Sequence, residues 1–499
     1  MQLNENFKLS AWSLEPDVAT FGPSATWSNK DMDPVPPHLR TWTTWNYIAY
    51  WVSDATNVTR KQALTAIAVG HTIIATVMVL NGTIGARLHV SFSVLNRSSF
   101  GFWFSYFSVV SRAVLAMFWF GIQTYTGSEC IYQMLKAVWP SVAHIKNRLP
   151  DASHINSVGM MCYFLYWLLQ FPLMFVSPQK IRHLFTVKSI IVPSAWLAIL
   201  IWAMSKAPPQ ISLSPKHTSL SGSALSWAWL NALNSSLGFY ATVAVNIPDF
   251  TRYAKNEKAQ YVQLLVIPVA FTLVGFAGIA VTSAGEILYG DILWDPLRLI
   301  DRWDNRAAAF FASLSFLLSI VGANISANSL SAANDLMVLF PKYINIRRGQ
   351  VICAIFGGWA MCPWEILAQA PGFLAFMAGY TVVLGPFAGI MYWLVHRCNV
   401  DVPAMYNPRG RYRYWNGINW RTVTTLLCSV TPSLPGLVGN INSNIKIGGL
   451  ANLFSFSWLF GFFSAAGIYW VISILFPARE TYMDNASWIV KRGELKPGR

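Results

Sequence analysis

The chain has 499 residues, of which 54% are hydrophobic and only 11% charged, and it contains 23 Trp and 31 Phe. Soluble domains carry about 25% charged residues, so this composition excludes a soluble protein and indicates a polytopic membrane protein in contact with lipid. The net charge of +15 does not indicate nucleic-acid binding, because in a membrane protein the distribution of charge matters more than its sum.

Eleven stretches are apolar enough to cross a membrane, which takes about 20 apolar residues. A shorter apolar piece at 43–58 precedes them, so the chain has about twelve transmembrane helices if that piece also crosses. The eleven stretches lie near 63–85, 104–126, 158–177, 184–205, 225–247, 262–288, 307–333, 350–366, 373–396, 422–440 and 452–476.

The Lys and Arg residues predict the orientation. With the N-terminus inside and twelve crossings, the inner segments hold roughly twice as many Lys and Arg residues as the outer ones, as the positive-inside rule requires. The sequence therefore predicts that both termini are cytoplasmic.

Polar side chains within the spans concentrate in the first, third, sixth and eighth segments. Trp119 and Gln123 are four residues apart in the third and therefore share one helix face. Asn324 and Asn328 have the same spacing in the eighth, and Tyr240 lies in the sixth. An indole that stacks on a ring, together with amides that both donate and accept, suits a flat heterocycle. Asn pairs also join neighbouring membrane helices, and for Asn324 the two interpretations are equally favoured.

The spacing of these segments indicates an internal repeat. Segments one and six are five apart, and so are three and eight. An inverted repeat of five helices produces this spacing and places a binding site at the midplane between the repeats. Segments eleven and twelve would be additional.

Five stretches resemble the fungal Fur-type branch of the nucleobase–cation symporters, and the likeness extends from about residue 25 to residue 440. They are WSNKDMDPVPPHLRTWTTWNYIAYW, VLNGTIGARLHVSFSVLNRSSFGFW, FWFGIQTYTG, VNIPDFTRYAK and ISANSLSAANDL. The resemblance implies the all-α fold of the bacterial leucine transporter, with a 5+5 inverted repeat. It also implies proton-coupled uptake of uracil, allantoin, uric acid or a related ring across a fungal plasma membrane.

The resemblance also implies a substrate site. The family's binding Trp and Gln in the third span match Trp119 and Gln123, and its binding Asn in the eighth matches Asn328, with Asn324 one turn away. A stacking aromatic residue in the sixth span would be Tyr240 or Phe239.

On this basis the chain divides into five parts. Residues 1–42 form a cytoplasmic tail, 43–205 the first repeat, 206–396 the second repeat, 397–476 two additional helices with a basic cytoplasmic loop, and 477–499 a second cytoplasmic tail.

The first helix is shorter than this fold requires. Trp45 to Asn57 would form roughly 20 Å of helix at 1.5 Å per residue, against a hydrocarbon core of about 30 Å. The outer half of the helix is missing, because the chain continues directly into the second span.

The coupling ion is left open between a proton and sodium, and no other cofactor is expected. Ser326 and Ser329 carry the hydroxyls that a sodium site of this fold would use. Membrane carboxylates commonly carry protons, and the candidates for coupling or gating are Ser53, Asp54, Asp249, Asp335 and Ser326. For Asp249 and Asp335 a cytoplasmic gate that pairs with Arg252, Lys255 or Lys342 is the favoured interpretation.

Three alternatives remain. The eight His residues show no metal or catalytic spacing, which argues against a membrane enzyme. A sensor that binds the ring without moving it would be consistent with the short first helix. Within transporters, the substrate could instead be thiamine, a nucleoside or nicotinamide riboside.

Overall fold

The computed structural model describes residues 12–14, 26–54, 61–176, 178–206, 222–397 and 400–483. Within these residues the protein is all-helical, with isolated bridges and no strand. Twelve helices or helix pairs follow the twelve predicted segments. They are α1 (Thr44–Asp54), α2 (Lys61–Leu88), α3 (Ser105–Val138), α4 (Asp151–Phe175), α5 (Pro178–Lys206), α6 (Gly222–Asn246), α7 (Gln263–Tyr289), α8 (Arg306–Leu339), α9 (Ile346–Ala360 with Pro363–Gln369), α10 (Pro371–Gly379 with Thr381–Arg397), α11 (Trp420–Ile441) and α12 (Gly448–Leu475).

Nine of the described helices are long and apolar enough to cross a membrane, and the bent α9 makes a tenth. α1 is too short to count, and α6 contains several Asn and Ser residues that lower its hydropathy. The outward faces of the long helices are apolar, as Ile190 on α5 (65% exposed) and Leu265 on α7 (68% exposed) illustrate. Exposed apolar surface of this kind is suited to lipid.

Asparagine side chains begin several of the helices. Asn305, Asn345 and Asn419 precede α8, α9 and α11, and Asn156 precedes the regular part of α4. Each side-chain oxygen accepts a backbone N–H of the first turn, which would otherwise lack a partner. Short polar loops therefore define where these spans start.

The short first helix is confirmed. α1 has 11 residues, about 16 Å at 1.5 Å per residue, whereas the 28 residues of α2 extend about 42 Å. α1 packs against α5 and α7. Residues 55–60, which follow it, lie outside the described residues.

The helices that carry the polar side chains meet in the centre of the bundle. α3 packs along α8, and α1 reaches α6 through Trp51 and Tyr240, whose ring centroids are 5.4 Å apart. Glycines bring α3 and α9 into close contact, because a Cβ atom added to Gly121 would lie 2.3 Å from the carbonyl oxygen of Gly357. The arrangement thus joins the predicted first and second repeats along α3.

One end of the bundle, here called the N-terminal face, is covered by residues 26–43. Asn29 donates to the carbonyl oxygens of Pro341 and Ile344, both at 2.9 Å, and the Tyr406 hydroxyl donates to the carbonyl oxygen of Met32 at 2.8 Å. α3 begins at this face, where Trp27 and Trp103 are in edge contact. Its 34 residues, about 51 Å long, end at the opposite face.

Candidate functional site

Trp119 and Gln123 lie half-buried on one face of α3. Among the described residues, only Phe118 makes a ring contact with Trp119, edge-on at 5.2 Å. No described residue forms a hydrogen bond with the Gln123 amide. One indole and one amide are therefore available to a ligand on this face.

The facing part of α8 is a π-helical segment, Asn324–Leu330. Such segments are rare and occur frequently at functional sites. This one contains every residue of α8 that the sequence singles out except Asp335. The half-buried Asn328 side chain donates to Oδ1 of Asn324 at 3.0 Å, which leaves its own oxygen available.

Asn324 joins three helices. It is fully buried, and its Nδ2 lies 3.2 Å from the carbonyl oxygen of Phe120, 3.2 Å from Oγ1 of Thr124 and 3.1 Å from Oε1 of Gln170. These groups belong to α3 and α4. Asn324 thus fixes the position of the π-helical segment against α3, which agrees with the interpretation of this residue as a helix-joining group.

The two aromatic candidates on α6 occupy different environments. Tyr240 is 5% exposed and its ring meets those of Trp51, His71 and Phe271 at centroid distances between 4.8 and 6.0 Å. Phe239 is 57% exposed. Tyr240 belongs to an aromatic cluster between α1, α2, α6 and α7.

A buried lysine lies against the π-helical segment. Lys188 on α5 is fully buried, and a Cβ atom added to Gly322 would lie 2.9 Å from its Nζ. Gly322 also binds Ser326, whose hydroxyl donates a hydrogen bond to the Gly322 carbonyl oxygen at 2.9 Å. An ammonium group therefore stands close to the hydroxyls considered for sodium.

Asp249 and Asp335 share a partner that the sequence did not predict. Arg112 binds Asp335 through Nη2 at 2.6 Å and Nε at 3.1 Å, and its Nη2 lies 3.9 Å from Asp249. All three side chains are fully buried. Within the described residues the ion pairs of both carboxylates are formed with Arg112 and not with the predicted Arg252, Lys255 or Lys342, because Arg112 reaches both from inside α3. The predicted gating role stays a prediction. Arg252 donates to the main-chain carbonyl oxygen of Asp31 and to Oδ1 of Asn334.

A small cavity lies between α5, α8 and α9, beside the residues that precede α1 and follow α6. It measures about 10 Å³ and is lined by Trp42, Phe185, Tyr253, Ser326 and Gln350, among others. A single water molecule needs about that much room. Ser53 and Asp54 lie in the last turn of α1, but their side chains lie outside the described residues.

A family model described as a permease for cytosine/purines, uracil, thiamine and allantoin matches residues 34–461. The chain belongs to this family. It is a multi-pass membrane permease and not an enzyme, and the predicted relation to fungal nucleobase–cation symporters is confirmed.

Individual relatives support the assignment. An uncharacterized permease of Schizosaccharomyces pombe is 37% identical over 479 residues, which cover 92% of this chain and 86% of that protein. The uracil permease of Saccharomyces cerevisiae is 33% identical over 492 residues, covering 92% and 77%. A nucleobase-cation-symport-1 transporter, solved in a closed conformation with bromovinylhydantoin bound, aligns with a TM-score of 0.71 at 19% identity, covering 90% and 97%. The predicted fold of the leucine-transporter type is confirmed.

Sequence reasoning missed the roles of Arg112, Lys188 and Gln170. A signal was present for the first two, since charged residues within membrane spans are rare and usually functional. For Gln170 no periodicity would have revealed that its amide meets Asn324.

Proposed function

We propose that this permease imports a nucleobase or a related heterocycle, such as uracil, allantoin or uric acid, by proton symport across a fungal plasma membrane. The observation that carries the proposal is that α3, with Trp119 and Gln123 half-buried on one face, packs against the π-helical segment that carries the half-buried Asn328. The indole stacks on the ring, and the two amides bind its N–H and C=O edge. The family description names several substrates, from cytosine to thiamine and allantoin. The uptake assay below therefore has to identify which ring is transported.

In this proposal both termini are cytoplasmic, as the distribution of Lys and Arg predicts, so the N-terminal face is the cytoplasmic face. Residues 26–43 then cover the cytoplasmic end of the bundle. Release of the ring requires the Arg112–Asp335 pair and the contacts of residues 26–43 to separate.

The buried lysine favours protons over sodium. Two unit charges 4 Å apart repel by about 4 kcal/mol at an effective dielectric constant of 20. A sodium ion beside Ser326 would face this repulsion from the Lys188 ammonium. A proton exchanged with Asp249 or Asp335 would change the charge inside the bundle without a second cation.

The test is uptake of radiolabelled rings in cells that lack their own permeases, with uracil, allantoin, uric acid, cytosine, thiamine, a nucleoside and nicotinamide riboside as competitors. We expect saturable uptake of one ring that persists when potassium replaces sodium and stops with a protonophore. Sodium-dependent uptake would exclude proton coupling. Lys188→Met, at matched surface expression, should retain ring binding and lose accumulation.

A sensor is the second candidate, because α1 is only 11 residues long. Binding of the ring without accumulation in intact cells, at normal surface expression, would favour the sensor.

A further inference from the structure

We propose that this permease has a second binding site, for a small organic ammonium ion, in the cavity between the outer ends of α3 and α4. The cavity is open and measures about 310 Å³, at the lower end of the range for ligand pockets. Its walls come from α3, from the segment between α3 and α4, and from the start of α4. The inference concerns a site other than the heterocycle site and uses the proposed orientation only to place it outside the cell.

The cavity lies on the other side of α3 from the heterocycle site. Tyr125, Ser128, Glu129 and Tyr132 line it, and they share one helix face because they are spaced three and four residues apart. At 100° per residue, the centre of this face is about 150° around the axis from the face of Trp119 and Gln123. A ligand in the cavity therefore does not contact the proposed ring-binding side chains.

The other walls are held in place by their own hydrogen bonds. Oδ1 of Asn147 accepts the N–H groups of Leu149 and Ser157, and Asn156 accepts the N–H of Gly159. His154 pairs with Glu365 on α9, with Nδ1 and Oε2 2.8 Å apart. Their polar atoms are already used, so the walls are formed before a ligand arrives.

The Tyr and Glu side chains of α3 that line the cavity, in contrast to the other walls, have polar groups that are not used in hydrogen bonds among the described residues. Within the described part of the chain, neither the Glu129 carboxylate nor the hydroxyl groups of Tyr125 and Tyr132 have a hydrogen-bond partner. Glu129 lies at the exposed surface of the cavity, with one tyrosine a turn before it and the other a turn after it. A carboxylate between two aromatic rings is an arrangement that attracts an ammonium ion, through charge and through the ring faces.

The charges around the cavity select the same ligand class. Asp295 and Arg298 are the charged side chains that act on Glu129. They also lie close to each other, at 3.9 Å, so the carboxylate of Glu129 leaves a negative surplus. An anion is disfavoured there. An organic ammonium ion can use both the Glu129 carboxylate and the two ring faces.

The experiment is a calorimetric titration of the purified full-length permease with choline and with tetramethylammonium. We expect saturable binding in or below the millimolar range. Glu129→Gln should weaken it at least tenfold. Tyr132→Phe should preserve it and Tyr132→Leu should weaken it severalfold, because phenylalanine keeps the ring face. Glu480→Gln, which removes an exposed carboxylate near the N-terminal face, is the matched control and should bind as the wild type does.

Two further arms separate this site from the heterocycle site. Saturating uracil or allantoin and the Trp119→Ala variant should leave choline binding unchanged. Competition between choline and the transported ring, wild-type affinity in Glu129→Gln, or the absence of choline binding by the wild type would each overturn the proposal. If uptake fails in every assay but choline binds and depends on Glu129, the transport proposal is wrong and the ammonium site stands. A thermal-unfolding curve for each variant checks that it is folded.

Discussion

Asn324 and Asn328 lie one turn apart in the π-helical segment of α8, joined by a 3.0 Å hydrogen bond, yet they have different surroundings. Asn324 is fully buried and meets three acceptors on α3 and α4, whereas Asn328 is half-buried. The inner asparagine positions the outer one.

This difference predicts different phenotypes. Asn324→Ala leaves the buried Oε1 of Gln170 without its donor and the Asn328 amide without its acceptor, at about 1–3 kcal/mol for a buried unpaired group, and should lower the thermal stability and the amount of permease at the membrane. Asn328→Ala removes only the donor to Oδ1 of Asn324, so it should lower both less than Asn324→Ala does, and it should alter which rings compete for uptake. Normal surface expression with an altered ring preference in Asn324→Ala would contradict this assignment.

A graded series at Gln123 tests the heterocycle site. Gln123→Asn keeps an amide at a shorter reach, while Gln123→Glu removes the donor and adds a buried charge, so the second should impair uptake more. Loss of one hydrogen bond that leaves a ligand group unpaired should weaken affinity about tenfold, which corresponds to 1.4 kcal/mol. Uptake at matched expression measures it. Unchanged affinity and selectivity in Gln123→Ala would mean that the amide does not bind the substrate.

The buried ion pair of Arg112 and Asp335 should be sensitive to single substitution. Asp335→Ala leaves the guanidinium with Asp249 alone, at 3.9 Å, and should destabilise the permease by about 3–5 kcal/mol. The double variant Arg112→Ala/Asp335→Ala should lose at least as much as Asp335→Ala, because it leaves the buried Asp249 carboxylate without Arg112. Lys136→Ala, which breaks a surface pair with Asp301, is the control and should cost about 0–1 kcal/mol. Thermal unfolding in detergent compares them, and equal losses at the two sites would contradict the prediction.

The contact of α3 with α9 should not tolerate a methyl group. Gly121→Ala would bring Cβ to 2.3 Å from the Gly357 carbonyl oxygen, whereas the Cβ of Gly467→Ala on α12 has open space around it. Replacing a helical glycine by alanine otherwise stabilises by about 1 kcal/mol. We therefore expect expression and thermal stability to be reduced in Gly121→Ala and not to be reduced in Gly467→Ala. A stable Gly121→Ala protein would show that α3 and α9 can separate at little cost.

His89, directly after α2, should make stability depend on pH. Burial lowers the pKa of His89 from 6.5 to about 4, and the Arg40 cation acts in the same direction. The unfolded chain binds a proton more readily, so the contribution of neutral His89 is complete above pH 6.5 and is lost as the pH falls toward 4. Between pH 7 and 5 the loss is about 2 kcal/mol.

His89→Asn is the matched variant for this pH effect. His89 has a φ of 56°, and Asn tolerates that conformation. Between pH 7 and 5 the thermal unfolding temperature should fall more steeply for the wild type than for His89→Asn. Equal slopes would exclude His89 as the cause.

The sequence predicted the twelve segments because each depends on local apolar length, and it predicted Trp119 and Gln123 because helical spacing places them together. It could not show that α3 extends to Val138, because the end of α3 carries polar residues that line a cavity outside the apolar core. The sequence also could not predict which side chains on different helices contact each other. Arg112 reaches Asp335 only because two distant helices pack together, and the π-helical turn depends on Asn324 meeting α3 and α4.

The covering of the N-terminal face also constrains the order of assembly. Asn29 bonds to Pro341, 312 residues later, and the main chain at Met32 bonds to Tyr406, 374 residues later. Synthesis proceeds from the N-terminus, so Asn29 and Met32 leave the ribosome several hundred residues before these two partners. Until α8 and the segment after α10 have been made, residues 26–43 have only their earlier contacts, such as that of Trp27 with Trp103. A nascent chain halted before residue 341 would leave this end of the bundle unsealed, and its apolar centre would be open to chaperones and proteases.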